Sequence, residues 1–308
     1  KNMTETDRND LINTITSREK LRPLGRIERL LKDPVHALPY YVLAACAKIK
    51  PFSRTFPTLW NTQMTCYLPE GNTFYYYGYC EANLTNFFLR YVKTDMTCID
   101  IGAHVGIYTM LFSELTGNSG SVHSFEPTPW TYRLLEKNTA TLQNVHINNN
   151  AVAEKAQTLT FADYGPGYGA YNSAHADGAP ALSRKPHNTQ VQSVSLDTYF
   201  AENELTPDII KIDSEGFEFE VLSGLKKTLT DTTKVRPLIT IEVANGDNWA
   251  ENRNSSFAIL SEYQYTAYSI NTTGLITPHI EQDSYEYDNL LFIPNERRED
   301  IQITSMRI

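Results

Sequence analysis

Apolar and polar positions give the chain two textures. From about residue 97, short apolar runs alternate with stretches of helical spacing. Segments 97–101, 120–125, 145–149, 208–212 and 238–243 read as strands, and 105–116, 129–141 and 217–225 as helices, with Pro129 suited to a first helical turn. Strand–helix–strand order at this spacing predicts an α/β fold with a parallel sheet and right-handed crossovers. Segments 265–270 and 289–293 read as strands lying close together, an antiparallel pair at the sheet edge.

Residues 1–85 lack this alternation. Leu24, Ile27, Leu30 and Leu31 fall at helical spacing with Arg26, Glu28 and Arg29 between them. They predict an amphipathic helix that packs on something, or else lies on a membrane surface. The second half of NTFYYYGYCEANLTNFFLRYV (72–92) also looks helical. The expected organisation is a mainly helical N-terminal extension, 1–85, serving as an acceptor lid or an oligomer contact that builds a homodimer, followed by the sheet domain, 86–308. One segment breaks the alternation. Residues 163–188, DYGPGYGAYNSAHADGAPALSRKPHN, are rich in Gly, Ala and Pro, and are either a functional lid or a floppy surface insert.

The stretch CIDIGAHVGIYT (98–109) carries the first chemistry. In open α/β sheets, ligands bind beyond the carboxyl ends of the strands. The first strand ends near Asp100, so Gly102 and Gly106 lie at that rim, where glycine permits a sharp turn and close approach of a ligand. The second strand ends at Glu126, whose carboxylate can accept hydrogen bonds from two ribose hydroxyls. Asp100 can face a ligand cation. A dinucleotide calls for G-x-G-x-x-G, with its pyrophosphate on the helix N-terminus. Here His104 occupies the middle glycine position and crowds a pyrophosphate. S-adenosylmethionine, a nucleoside with an amino-acid tail and no phosphate, suits the bulkier loop.

Further along, KIDSEGFE (211–218) sets Asp213 and Glu215 just past the fourth strand, on the same rim. A carboxylate there could remove a proton from an acceptor hydroxyl. Asp213 and Glu242 could instead share a hard cation such as Mg²⁺, which prefers oxygen ligands. Glu215 could equally be a helix N-terminal acid. Lys211 could pair with a rim carboxylate. His104 is a candidate base or a hydrogen-bonding residue, and His175 and His187 lie in the insert.

Composition narrows the partners. A net charge of −9 and 41% hydrophobic residues describe a chain with a real core and no overall basic face, which argues against nucleic acid and anionic membrane. The longest apolar stretch near the N-terminus, 38–47, is too short to span a bilayer. Four cysteines without a C-x-x-C pair favour a reducing, cytoplasmic setting.

The ordered set CIDIGAHVGIYT (98–109), VHSFEPTPWTYRLLEKN (122–138), NNNAVAE (148–154), VSLDTYF (194–200), DIIKIDSEGFEFEVLSGL (208–225), LITIEV (238–243) and DNLLFIP (288–294) resembles an FkbM-type methyltransferase, a branch of the class I S-adenosylmethionine-dependent enzymes. The chain departs from the family at His104, where Asn is usual. The resemblance implies a Rossmann-like, seven-stranded, mostly parallel sheet flanked by helices. It implies Asp100, Gly102, Ala103, His104 and Gly106 around the methionyl end of the cofactor, Glu126 on its ribose, and Asn150 and Ala151 near its adenine, with Asp213 bordering the same site. It also implies methyl transfer to a hydroxyl of a sugar, a glycan or another polar natural product. A dinucleotide-dependent oxidoreductase and a non-catalytic scaffold of the same fold in a glycan-modifying system are the alternatives.

Overall fold

The structure, a computed structural model, describes residues 3–169, 172, 185–244, 247–285 and 287–301. The chain opens with α1 (Glu5–Glu19), α2 (Arg26–Lys32) and α3 (Pro34–Ile49). A hairpin of β1 (Phe52–Pro57) and β2 (Gln63–Leu68) follows, then α4 (Asn72–Tyr77) and α5 (Ala82–Tyr91). The hairpin lies in a stretch that sequence alone reads as helical. Its first strand buries only Phe56, so no period-2 alternation shows.

From there strand and helix alternate: β3 (Thr97–Ile101), α6 (Ile107–Thr116), β4 (Ser121–Phe125), α7 (Pro129–Thr139) and β5 (Val145–Asn148). β6 (Ala151–Val152), β7 (Thr158–Asp163) and β8 (His187–Val194) build a separate small sheet. The main series resumes with α8 (Leu196–Glu202), β9 (Ile209–Ile212), α9 (Glu218–Ser223), α10 (Lys226–Thr230), β10 (Leu238–Ala244) and α11 (Asp247–Glu262). It ends with β11 (Tyr265–Ile270), β12 (Ile276–Pro278) and β13 (Tyr287–Pro294).

The main sheet has the order β12-β11-β13-β10-β9-β3-β4-β5. β5, β4, β3, β9 and β10 run parallel, and β13 is antiparallel to both of its neighbours. This is the expected Rossmann-like α/β architecture with eight strands rather than seven. The added strand is β12. Asn271 accepts from the amides of Thr273 and Leu275 and closes a tight turn, with Gly274 at φ 77°, that folds β12 back on β11. A three-residue strand is too short to show alternation. The antiparallel pair β11–β13 therefore lies one strand inside the edge it was expected to form.

The central strands are buried on both faces, which is why they read as continuous apolar runs. Their period of two divides the core. Cys98, Val122, Ile209 and Leu238 face one cluster, built with α5, α6 and the N-terminal helices. Ile99, Phe125, Ile210 and Ile239 face the other, packed under α8, α9 and α11. Asp100 and Lys211 share the parity of Cys98 and Ile209, and Glu242 shares that of Leu238. These polar residues therefore project from the face that looks towards α6 and the N-terminal segment.

The insert also has a defined base. β7 and β8 pair antiparallel up to Asp163 opposite His187, so the segment begins and ends on the paired strands of one hairpin. His175 lies outside the described residues.

Candidate active site

A cavity of about 550 Å³ opens at the carboxyl ends of β3, β4, β9 and β10. Its floor is the turn after β3. Gly102 has φ 68°, and a Cβ there would stand 1.7 Å from the backbone oxygen of Asp213, so only glycine lets the two loops meet. Gly106 has φ 93° and caps α6, and a Cβ would press into Leu135 at 2.7 Å. The amides of Gly102 and Ala103 both donate to the Phe125 carbonyl, at 3.1 and 3.0 Å, which fastens this turn to the end of β4.

Glu126 follows β4 directly and is only 6% exposed. It accepts from the His104 amide at 3.1 Å, from the Thr128 amide at 3.0 Å and from the Thr128 hydroxyl. Burial pushes its carboxyl up, opposed by these hydrogen bonds and by the nearby His104. Phe125, Ala151, Val152 and Phe161 supply an apolar wall beside it, and Asn150 lines the same cavity.

The other end of the cavity is acidic. Asp100 and Lys211 are direct register partners on β3 and β9. The Lys211 ammonium lies 3.3 Å from Asp100, 3.2 Å from Asp213 and 5.2 Å from the centre of the Tyr108 ring. Burial alone would lower this ammonium, but Asp213, Asp100 and Glu81 outweigh it and raise it. Thr109 donates to Asp100 at 2.6 Å, fixing the carboxylate from behind. Asp213, Glu215 and Glu242 each offer a carboxylate oxygen within 4.8 Å of the others. Burial together with Asp213 and Glu215 holds Glu242 well above the usual carboxyl range. Asp213 is held low in spite of burial, by Lys211 and by a hydrogen bond from Glu242. The two carboxyls thus share a proton rather than both ionising. Glu215 is pushed up to about 8 by burial and by the charges of Asp213 and Glu218. Its φ of 53° is unusual for a residue with a side chain. Glu218 is pushed up to about 7, chiefly by burial, and accepts from the amides of Ser214 and Gly216, which ties the turn together.

The N-terminal segment closes the far wall. Glu70 accepts or shares a hydrogen bond with the His104 imidazole at 2.7 Å. Burial alone would lower that imidazole, but Glu70 raises it. His104 also sits at φ 51°, a region Asn tolerates more readily than most residues. Glu81 accepts from the hydroxyls of Tyr108 at 2.8 Å and Tyr287 at 2.6 Å, and from the Asn289 amide. From the insert, Gly169 and Asn172 line the cavity, and Asn172 donates to the Thr128 hydroxyl at 3.2 Å.

Most residues singled out from the sequence meet here: Gly102, Ala103, His104, Glu126, Asn150, Ala151, Asp213, Glu215 and Glu242 all line the one cavity. Asp100 and Gly106 do not. Asp100 is fully buried and reaches the cavity only through Lys211. His187 is exposed at the base of the hairpin. Glu70, Glu81, Tyr108, Tyr287 and Asn289 escaped the sequence reading. Tyr108 and Asn289 carried a signal, Tyr108 in the stretch 98–109 and Asn289 in a strand that the sequence identified, where it stands in register with Glu242.

The sequence family described as the methyltransferase FkbM domain matches residues 100–270, more than half of the chain. No curated protein sequence matches. Among solved structures, similarity extends to Aeropyrum pernix fibrillarin with natively bound S-adenosyl-L-methionine, at 8% identity over 69% of this chain and 76% of that one, with a TM-score of 0.41. It extends to the precorrin-6y C5,15-methyltransferase of Geobacter metallireducens, at 14% identity over 68% and 85%, with a TM-score of 0.36. It extends also to an O-methyltransferase from Bacillus cereus in complex with SAH, at 8% identity over 68% and 78%, with a TM-score of 0.39.

Proposed function

The chain belongs to the methyltransferase FkbM domain family and is an S-adenosylmethionine-dependent methyltransferase; we propose that it methylates a hydroxyl of a sugar, a glycan or another polar natural product. The observation that carries the hydroxyl acceptor is the placement of Glu215 in the cavity lining, within 4.8 Å of Asp213 and Glu242, where burial and their charges hold its proton towards neutrality.

The residues fit the cofactor. Glu126, at the end of β4, would accept from the ribose hydroxyls in exchange for its present donors. Phe125, Ala151, Val152 and Phe161 would flank the adenine, with Asn150 at its edge. Gly102, Ala103 and His104 would border the methionyl part. When bound, S-adenosylmethionine supplies an electrophilic methyl group on a sulfonium cation. Asp213, Glu215 and Glu242 surround the place where that positive charge would be held. Glu215 would take the proton of the acceptor hydroxyl, while Glu81, Tyr108 and Tyr287 offer a hydrogen-bonding wall for a polyhydroxylated molecule, with Asn289 holding Glu81 from behind. His104, bound to Glu70, would orient rather than abstract. We place this chemistry in a reducing compartment such as the cytoplasm, since Cys46, Cys66, Cys80 and Cys98 are all free thiols. Among the described residues no helix is long and apolar enough to cross a membrane.

Calorimetric titration with S-adenosylhomocysteine tests the cofactor half. Glu126→Ala is expected to weaken binding by about 30–100-fold, as for loss of hydrogen bonds to a charged acceptor. Binding unaffected by the substitution would remove Glu126 from the ribose. Transfer of labelled methyl to a panel of glycosides and their deoxy analogues tests the acceptor.

A second reading puts Mg²⁺ on Asp213 and Glu242, with Glu215 as a third oxygen, favoured by the 4.8 Å clustering and by the Glu242 Oε2 atom, which is buried without a hydrogen-bond partner. Against it, Lys211 already supplies a cation 3.2 Å from Asp213, and the shared proton accounts for the closeness of Asp213 and Glu242. Full activity after chelation is the expected result; loss restored by added Mg²⁺ would establish the ion.

A further inference from the structure

The amphipathic helix read from Leu24, Ile27, Leu30 and Leu31 begins at Arg26 and buries its apolar residues only in part: Leu30 packs against the core and Leu24 is half-buried in the turn before it, while the other two point outward. Ile27 is 75% exposed and Leu31 79%. The stripe continues through α3 at helical spacing as Val35, Leu38, Val42 and Ile49, all more than half exposed. Among the described residues, these are six of the nine large hydrophobic side chains that stand exposed, so the exposed apolar surface is concentrated on two successive helices, α2 and α3. The opposite side of α3 is satisfied: Ala37 and Ala47 are buried, and the Tyr40 ring lies 5.0 Å from Tyr76 on α4. The face is therefore a free side of a helix that is otherwise packed.

Charge distinguishes among occupants. Residues 18–54 hold nine Lys or Arg and three acids, a net charge of +6 in a chain whose net charge is −9. Lys20, Arg26, Lys32, Lys48, Lys50 and Arg54 are exposed, within α2 and α3 or within a few residues of their ends. A symmetric dimer through this face would set like charge against like. An apolar stripe bordered by cations matches a surface with an apolar interior and anionic phosphates.

We propose that the α2–α3 face docks on the surface of an anionic lipid bilayer, with the apolar stripe entering the boundary between headgroups and acyl chains and the flanking cations meeting lipid phosphates. Nothing in the docking needs a membrane-spanning helix. The net acidity of the chain, which by itself argues against such a surface, conceals a local reversal of sign.

Flotation of the full chain with vesicles tests this. The protein should float with phosphatidylcholine–phosphatidylglycerol vesicles and at least tenfold less with phosphatidylcholine alone. In about 0.5 M salt, where charges are screened beyond a few Å, flotation should fall by a similar factor. Leu38→Asp with Val42→Asp should abolish it, and Lys48→Glu with Lys50→Glu should reduce it at least tenfold, with circular dichroism unchanged because all four positions are exposed. Equal flotation on both vesicles, or flotation that survives the Leu38→Asp and Val42→Asp pair, overturns the proposal. So does a dimer in light scattering that the same pair dissolves, which would assign the face to a second copy of the chain.

Discussion

Replacing Lys211 by Met is expected to lower folding stability by about 3–5 kcal/mol, the cost of leaving a buried ion pair half made. The lysine is 2% exposed and Asp100 fully buried. Without the ammonium, Asp100 keeps only the Thr109 hydroxyl among its close partners, and Asp213 loses the charge that holds its carboxyl low. A similar-sized apolar side chain fills the space and supplies no charge, so the loss isolates electrostatics from packing. Urea unfolding measures it. Adding Asp100→Asn to Lys211→Met should recover a large part of the loss, because it removes the more deeply buried of the two stranded carboxylates; the Asp213 side chain, 27% exposed, can be hydrated from the cavity. A loss below about 1 kcal/mol, typical of surface pairs, would show that water reaches the group, and the electrostatic account of the site would fall with it.

The sheet was legible because its central strands are buried on both faces, which leaves the pattern of β3, β9 and β10 almost free of polar interruptions. The interruptions were then the informative residues, and their placement at strand ends was enough to gather Glu126, Asp213 and Glu242 at one rim. What pattern did not settle was direction. Position at a strand end points Asp100 at the ligand, yet it has the parity of Cys98, and that parity turns it under α6 to meet Lys211 and Thr109. Two-residue periodicity could have said so, whereas position along the strand could not. The wall made by Glu70 and Glu81 left no trace at all. These residues reach His104 and Tyr108 across 34 and 27 positions, from segments whose local pattern says nothing about the sheet. The same limit hid the free face of α2 and α3. Helical spacing predicts a helix where α2 runs from Arg26 to Lys32, but spacing carries no information on which of its apolar residues a partner covers.

Glu215→Gln is expected to reduce the rate of methyl transfer by about 10²–10⁴-fold, the usual worth of a positioned general base, and to change its dependence on pH. In the unaltered protein the base form appears as the carboxyl loses its proton near about 8, so the rate should climb through neutrality and level off above that point. In the variant this climb should vanish while cofactor binding persists. Stability supplies a second readout that needs no acceptor. The carboxyl holds its proton to a higher pH when folded than when unfolded, where it titrates near 4.3. Its contribution is therefore fully present below the unfolded value and is lost as pH rises towards about 8. The unaltered protein should lose stability between about pH 5 and pH 8.5, and Glu215→Gln, which keeps a neutral side chain of the same shape, should lose less. Glu218 and Glu242 are raised in the same sense and leave a residual slope in the variant, so the difference between the two proteins is the quantity to measure. Parallel stability curves would mean that the cavity hydrates Glu215 as an ordinary carboxylate. Proton removal from the acceptor would then have to be sought at Asp213, whose low pKa makes it a weaker base but leaves it ionised throughout.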